Sequence, residues 1–331
     1  MTAHFKMNSQ TPIRRILIAS LLVTASSLAA AQTADFPRAP IKIVAGATPG
    51  GTVDTMARLL ADGLAAQLKQ TVVVDNKPGA NGAIAADFVA KSQPDGYTLL
   101  LGTSGLTTLP LLQKNLPYDL GRDLAPVAIT GSTPFLLFAG PKSQASSVAS
   151  LVSYAKANPQ RLSAASGDGV TLMANELFKA AADISVISVN YRGGSQMVTD
   201  IAGGTVDYGF LGATAVMPLA KAGKLRVLGV ATSKRLDIAP DIPTLAEQGI
   251  KGVLMEPWSG IMVPRGTDRA IVQILEKALA VTTQSEVYQK KVHDIGSLTR
   301  FMGASDAAAF ITAEQKALEQ VAASAGIKPA D

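Results

Sequence analysis

Short runs of apolar and β-branched residues alternate along the chain with segments whose apolar positions recur every three or four residues. The runs at 41–45, 71–74, 97–102, 127–130, 135–139, 162–166, 184–189, 206–210, 225–231 and 259–263 predict strands. Val53, Met56, Leu60, Leu64 and Leu68 fall on one helical stripe. Leu151 with Tyr154, the stretch around Leu172, Glu176 and Phe178, and Ile271, Leu275, Ala278 and Leu279 give further helices, and 305–325 gives a last one. This alternation predicts an α/β fold with mixed, mostly parallel sheets buried on both faces. Ten strands are many for one sheet in a chain of 331 residues, so two sheets and two lobes are expected.

The N-terminus breaks the pattern. Lys6, Arg14 and Arg15 precede an apolar run from Ile16 that continues through small residues to Leu28, and Ala29-Ala30-Ala31 follows. A basic start, a short apolar core and a small-residue exit predict a secretory signal peptide over 1–31, cleaved near Ala31. The run is too short to span a membrane, which takes ~20 apolar residues. These 31 residues hold three basic and no acidic side chains, so their removal lowers the formal charge from +5 to +2. A near-neutral exported product is a poor nucleic-acid binder.

Composition narrows the chemistry. The chain has no cysteine and two histidines, which excludes disulfides, thiolate ligands, a cysteine nucleophile and a multi-histidine metal cage. No cofactor fingerprint and no metal cluster is seen, so neither is expected. His293, between Val292 and Asp294, reads as a surface histidine.

The loops after the predicted strands carry more. Gly46-Ala47-Thr48-Pro49-Gly50-Gly51-Thr52 has Walker-like glycine spacing but lacks the Lys-Ser/Thr pair, and it is not a dinucleotide fingerprint. Glycines followed by a helix start present free N–H groups and the positive end of a dipole, which suits a carboxylate; an ordinary strand-to-helix turn reads the same way. Gly102-Thr103-Ser104-Gly105 repeats the design at the end of the third run, where open α/β sheets bind ligands, and it is not a nucleophile elbow. Ser166-Gly167-Asp168-Gly169 and Tyr191-Arg192-Gly193-Gly194 repeat it again. Arg192 suits a second carboxylate or a neighbouring aspartate; Asp168 suits a helix cap; Trp258 suits either hinge packing or ligand stacking.

Several stretches resemble one family. Pro49-Gly50-Gly51-Thr52-x-Asp54, the run from Val73 through Asp75-Asn76-Lys77-Pro78-Gly79 to Gly82, and Pro94-Asp95-Gly96-Tyr97 are similar to the opening of the Bug (TctC-like) extracytoplasmic solute-binding proteins. Leu116-Pro117-Tyr118-Asp119, Tyr191-Arg192-Gly193, Gly203-Gly204-x-Val206-Asp207, the run from Lys221 to Arg226, and Ile242-Pro243-Thr244 with Glu247 and Gly249 continue the likeness in order. The resemblance implies a two-lobed, periplasmic-binding-protein-like Venus flytrap that is no enzyme and closes on a small carboxylate. One lobe would comprise 32–132 with 257–331 and the other 133–256, with hinges near 131–134 and 256–258.

It further implies a ligand site made of Pro49, Gly50, Gly51, Thr52 and Asp54, of Thr103, Ser104, Gly105 and Leu106, and of Thr133 at the crossing. The second lobe would add Ser166, Gly167, Tyr191, Arg192, Gly193, Phe210 and Gly212. The implied partners are the membrane subunits of a tripartite tricarboxylate transporter, or a membrane sensor, with the protein a periplasmic monomer. A carboxylate-acting hydrolase or lyase is the enzymatic alternative, and no triad supports it. Many family members carry Phe-Asp-Asn where this chain has Phe210-Leu211-Gly212. Leu211 leaves a ligand ammonium without a counter-charge, so a di- or tricarboxylate or an aromatic carboxylate is expected rather than an amino acid.

Overall fold

The computed structural model describes residues 36–191 and 193–330. The expected signal peptide and Arg192 lie outside the described residues. Among these residues, no helix is long and apolar enough to cross a membrane.

Each apolar run folds as a strand because its neighbours bury both of its faces. In β1 (Ile41–Ala45), Ile41, Ile43 and Ala45 enter one core and Val44 the opposite one. The remaining elements of the first lobe's opening stretch are α1 (Thr52–Leu68), β2 (Val72–Asn76), α2 (Ala83–Ala90), β3 (Thr98–Thr103), α3 (Gly105–Leu112), α4 (Leu120–Asp123) and β4 (Leu124–Ser132). The chain then crosses and builds β5 (Phe135–Ala139), α5 (Val148–Ala157), β6 (Ser163–Ser166), α6 (Gly169–Ala182), β7 (Ile187–Asn190), α7 (Gly194–Gly203), β8 (Tyr208–Gly212), α8 (Ala213–Lys221) and β9 (Arg226–Val230). It returns through β10 (Trp258–Pro264), α9 (Arg269–Gln284), α10 (Glu286–Asp294), β11 (Leu298–Gly303) and α11 (Ala304–Ser324).

Two sheets result, one in each lobe. The first has the order β11-β4-β10-β3-β1-β2 and the second β7-β6-β8-β5-β9. The pairs β1–β2, β1–β3, β6–β7 and β6–β8 are parallel; the strands that carry the chain between lobes, β4, β5 and β10, pair antiparallel with their neighbours. The two crossings lie side by side: Thr133 N–H donates to Pro257 O (2.9 Å) and Phe135 N–H to Met255 O (3.0 Å). β11 is absent from the sequence expectations. Its residues are mostly half-buried, and they hold their place by pairing with β4 at the sheet edge rather than by a sharp apolar alternation.

What matters for the site is a shared topology. In each lobe two adjacent parallel strands, β1 with β3 and β6 with β8, end at the same edge and lead directly into helices. Open α/β sheets place ligands at that edge.

Candidate functional site

A cavity of about 370 Å³ lies between the lobes. Lobe one lines it with Gly46, Thr52 and Val53 after β1, with Thr103 at the end of β3, and with Ser104, Gly105 and Leu106 after it. Lobe two lines it with Asp168, Gly169 and Val170 after β6, with Leu211 and Gly212 at the end of β8, and with Thr214 and Ala215 in α8. Thr133, Pro257 and Trp258 of the crossings complete the wall. The lobes touch around it, for Thr52 Oγ1 stands 3.5 Å from Thr214 Oγ1.

Four helices therefore begin at the cavity, two from each lobe. The first N–H groups of α1, α3, α6 and α8 precede each helix's own hydrogen-bond ladder and carry the positive end of its dipole. The positions before α1, α3 and α8, namely Gly51, Ser104 and Gly212, make no side-chain cap. Helix α6 differs: Asp168 accepts from Thr171 N–H (2.8 Å) and forms a capping box, the helix-cap role its sequence position suggests. Among the described lining residues there is no lysine, arginine or histidine, and Asp168 is the only acid. The electrostatics thus favour an anion held by main-chain donors. Val53, Met56, Leu100, Leu109, Leu112, Phe135, Val170 and Leu211 give the cavity a largely apolar lining, which suits the hydrocarbon part of an organic acid.

Of the residues expected to form the site, Thr52, Thr103, Ser104, Gly105, Leu106, Thr133 and Gly212 line the cavity. Pro49, Gly50, Gly51 and Asp54 do not. Asp54 is buried beneath the first loop, where its carboxylate accepts from Arg58 Nε (3.0 Å), Gly50 N–H (2.9 Å) and Asn76 Nδ2 (2.9 Å). The Arg58 guanidinium, with help from Gly50 and Asn76, holds its carboxyl at about 2 despite burial. Asp54 shapes the loop and does not face the cavity. Gly50 instead lines a separate open groove with Lys221 and the exposed His293.

The second lobe departs further. Ser166 is buried, with its Oγ accepting from Asn175 Nδ2 (2.8 Å). A Cβ on Gly167 would stand 2.8 Å from Gly194 N, so that glycine permits two loops to pack. Tyr191 donates its N–H to Ser166 O (2.7 Å), and burial and a hydrogen-bonded Asp200 push its phenol up. Gly193 precedes α7, away from the cavity lining. The reason is strand order: β7 is the edge strand beyond β6, so its loop opens at the rim. Phe210 is fully buried, its ring 5.7 Å from that of Phe178. Successive strand residues face opposite sides, so Leu211 takes the cavity-facing position.

Sequence reasoning missed the contribution of Gly169, Val170, Thr214 and Ala215, and it missed Glu314. That residue of α11 lies behind Ser104 and accepts from Trp258 Nε1 (2.7 Å). Its only sequence signal is an acid on an otherwise ordinary helix. Trp258 is buried at the crossing, as hinge packing requires, and also borders the cavity.

Residues 56–327 match the model of the tripartite tricarboxylate transporter family receptor, TctC. The protein BugT of Bordetella pertussis is 34% identical over 283 residues, covering 82% of this chain and 85% of BugT. An R. palustris protein solved with adipate superposes with a TM-score of 0.81 at 34% identity, covering 89% of this chain and all of that one. MatC from Rhodopseudomonas palustris with bound malate gives 0.75 at 28% identity, covering 87% of this chain and all of MatC.

Proposed function

Because the chain belongs to the TctC receptor family, whose members are periplasmic binding proteins and not enzymes, we propose that it captures a small organic carboxylate between its lobes for the membrane subunits of a tripartite tricarboxylate transporter. One observation carries the reading: four helix N-termini converge on a cavity whose described lining offers no cationic side chain. Relatives solved with adipate and malate support the ligand class. The moving units are 32–132 with 257–331, and 133–256. The signal peptide is removed near Ala31, and a monomer does the capturing.

A carboxylate enters the open protein and meets the preformed donors at α1 and α3. The second lobe then closes with α6 and α8 and excludes water. A ligand shifts that equilibrium only by binding the closed form more tightly. Moving it from 1:99 to 99:1 needs roughly 5.5 kcal/mol, within the ~8 kcal/mol of a micromolar binder.

The test is calorimetry against adipate, malate, aspartate and glutamate. Stoichiometric binding of a dicarboxylate is expected, with the amino acids at least ~10-fold weaker because Leu211 provides no counter-charge. Tight binding of aspartate or glutamate with no response to dicarboxylates contradicts the reading. Conversely, Leu211→Asp should weaken dicarboxylates by about ten-fold or more through like-charge repulsion and admit an ammonium-bearing ligand. Trp258 is the sole tryptophan, so its emission should follow each titration directly.

A further inference from the structure

Glu314 is an acid placed where the hinge, the ligand loop and the C-terminal helix meet. Its Oε2 accepts from Trp258 Nε1 (2.7 Å) and lies 2.8 Å from Thr107 Oγ1, while Ser104 Oγ reaches Oε1 at 3.4 Å. Ser104 Oγ in turn accepts from Trp258 N–H (2.8 Å), and Ser104 N–H donates to Trp258 O (3.2 Å). One carboxyl therefore fixes both the start of α3 and the point where the chain re-enters the first lobe. Ser104 and Trp258 also line the ligand cavity. Glu314 itself lines a smaller adjoining cavity of about 210 Å³, which Ser104 and Pro257 share with the larger one.

We propose that Glu314 is a positioning residue for the ligand cavity, holding Ser104, Thr107 and Trp258 in register and placing its own charge behind the N-terminus of α3. The inference rests on carboxylate binding at that N-terminus. Two protonation states fit the geometry. Ionised, Glu314 takes hydrogen bonds from Trp258 and Thr107. Protonated, it donates to Thr107 Oγ1, whose own proton then turns to Ser104 O, 2.7 Å away. Burial pushes its carboxyl up, against Trp258, Thr107, Ser104 and the positive charge of Arg300 on β11. Glu256 on the crossing segment is the other acid lining the adjoining cavity. The ionised form opposes a ligand carboxylate on the far side of the α3 terminus, so affinity falls as pH rises through the Glu314 titration.

Two readouts on the purified protein test this. In the ligand-free protein, Trp258 emission should follow a carboxyl titration that Glu314→Gln abolishes. In calorimetry, the ratio of wild-type to Glu314→Gln adipate affinity should fall about three- to ten-fold as pH rises across that titration, the comparison cancelling the ligand's own titration. Glu314→Ala should bind adipate about ten-fold or more weakly at every pH, and glutamine should recover most of that loss, because it keeps an acceptor for the indole. Identical pH profiles for wild type and Glu314→Gln, or unaltered affinity in Glu314→Ala, overturn the proposal. If neither adipate nor malate binds, the ligand reading fails instead, and the ligand-free emission alone decides the role of Glu314: a titration lost in Glu314→Gln upholds it and its absence overturns it.

Discussion

Gly169→Phe should abolish ligand capture, with about a 100-fold or greater loss of affinity, while leaving the melting temperature within about 2 °C of wild type. Gly169 opens α6 in the second lobe but packs against α3 of the first. A Cβ there would already stand 2.5 Å from Leu112 Cδ1 and 2.9 Å from Thr108 Oγ1. An aromatic ring cannot share that space, and it would also project into the cavity that Gly169 lines. The clash exists only when the lobes meet, because its partners belong to the other lobe. Opening relieves it, so the penalty of at least about 3 kcal/mol falls on the closed form and not on the fold. Calorimetry with adipate and a thermal melt on the same sample check both halves. Simultaneous loss of binding and of stability would mean that Gly169 belongs to the core of its own lobe.

Asp54→Ala should act on both properties at once. Its carboxylate is the common acceptor for Gly50, Arg58 and Asn76, and Asn76 Nδ2 also reaches Ala47 O (3.0 Å), so one side chain ties the whole loop after β1. Removing it takes away a shared, charge-assisted acceptor from donors that water can still reach, Arg58 being 53% exposed, at a cost of about 1–2 kcal/mol. The start of α1 loses its fixed position, and ligand affinity should drop about ten-fold. The sign of the pH effect follows from the lowered carboxyl. Its folded value of about 2 lies below the ordinary 3.8, so its stabilisation is fully present above about pH 4 and is lost as pH falls toward 2. Wild type should therefore lose stability across that window more steeply than Asp54→Asn. Parallel acid-unfolding curves would show that the carboxylate contributes nothing to the loop.

How far local pattern reaches is visible in particular elements. β1 and β5 occupy the spans their apolar runs predict, because both are central strands buried on both faces. The glycine-rich turns after β1 and β3 were legible too, since a strand, two glycines and a helix stripe are all local features. The strand near 184–189 instead occupies Ile187–Asn190, an edge strand with mostly exposed residues and little apolar signal. That same edge position is why the loop containing Tyr191 and Gly193 looked equivalent to the others and is not: strand order is a long-range property. Phe210 was assigned to the cavity face for want of a register, whereas Leu211 does face the cavity as its position implied. Glu314 could not be read at all, because its partners Trp258, Thr107 and Ser104 lie 56, 207 and 210 residues away in the chain.

The central claim is that main-chain N–H groups at four helix starts hold the organic anion. Backbone amide resonances recorded during a titration with adipate test it most directly. The account predicts saturable shifts concentrated at Val53, Gly105, Leu106, Val170 and Ala215, reaching both lobes in one binding event. Saturable shifts that spare these five amides, and gather instead around Lys221 and His293 in the outer groove, would contradict it.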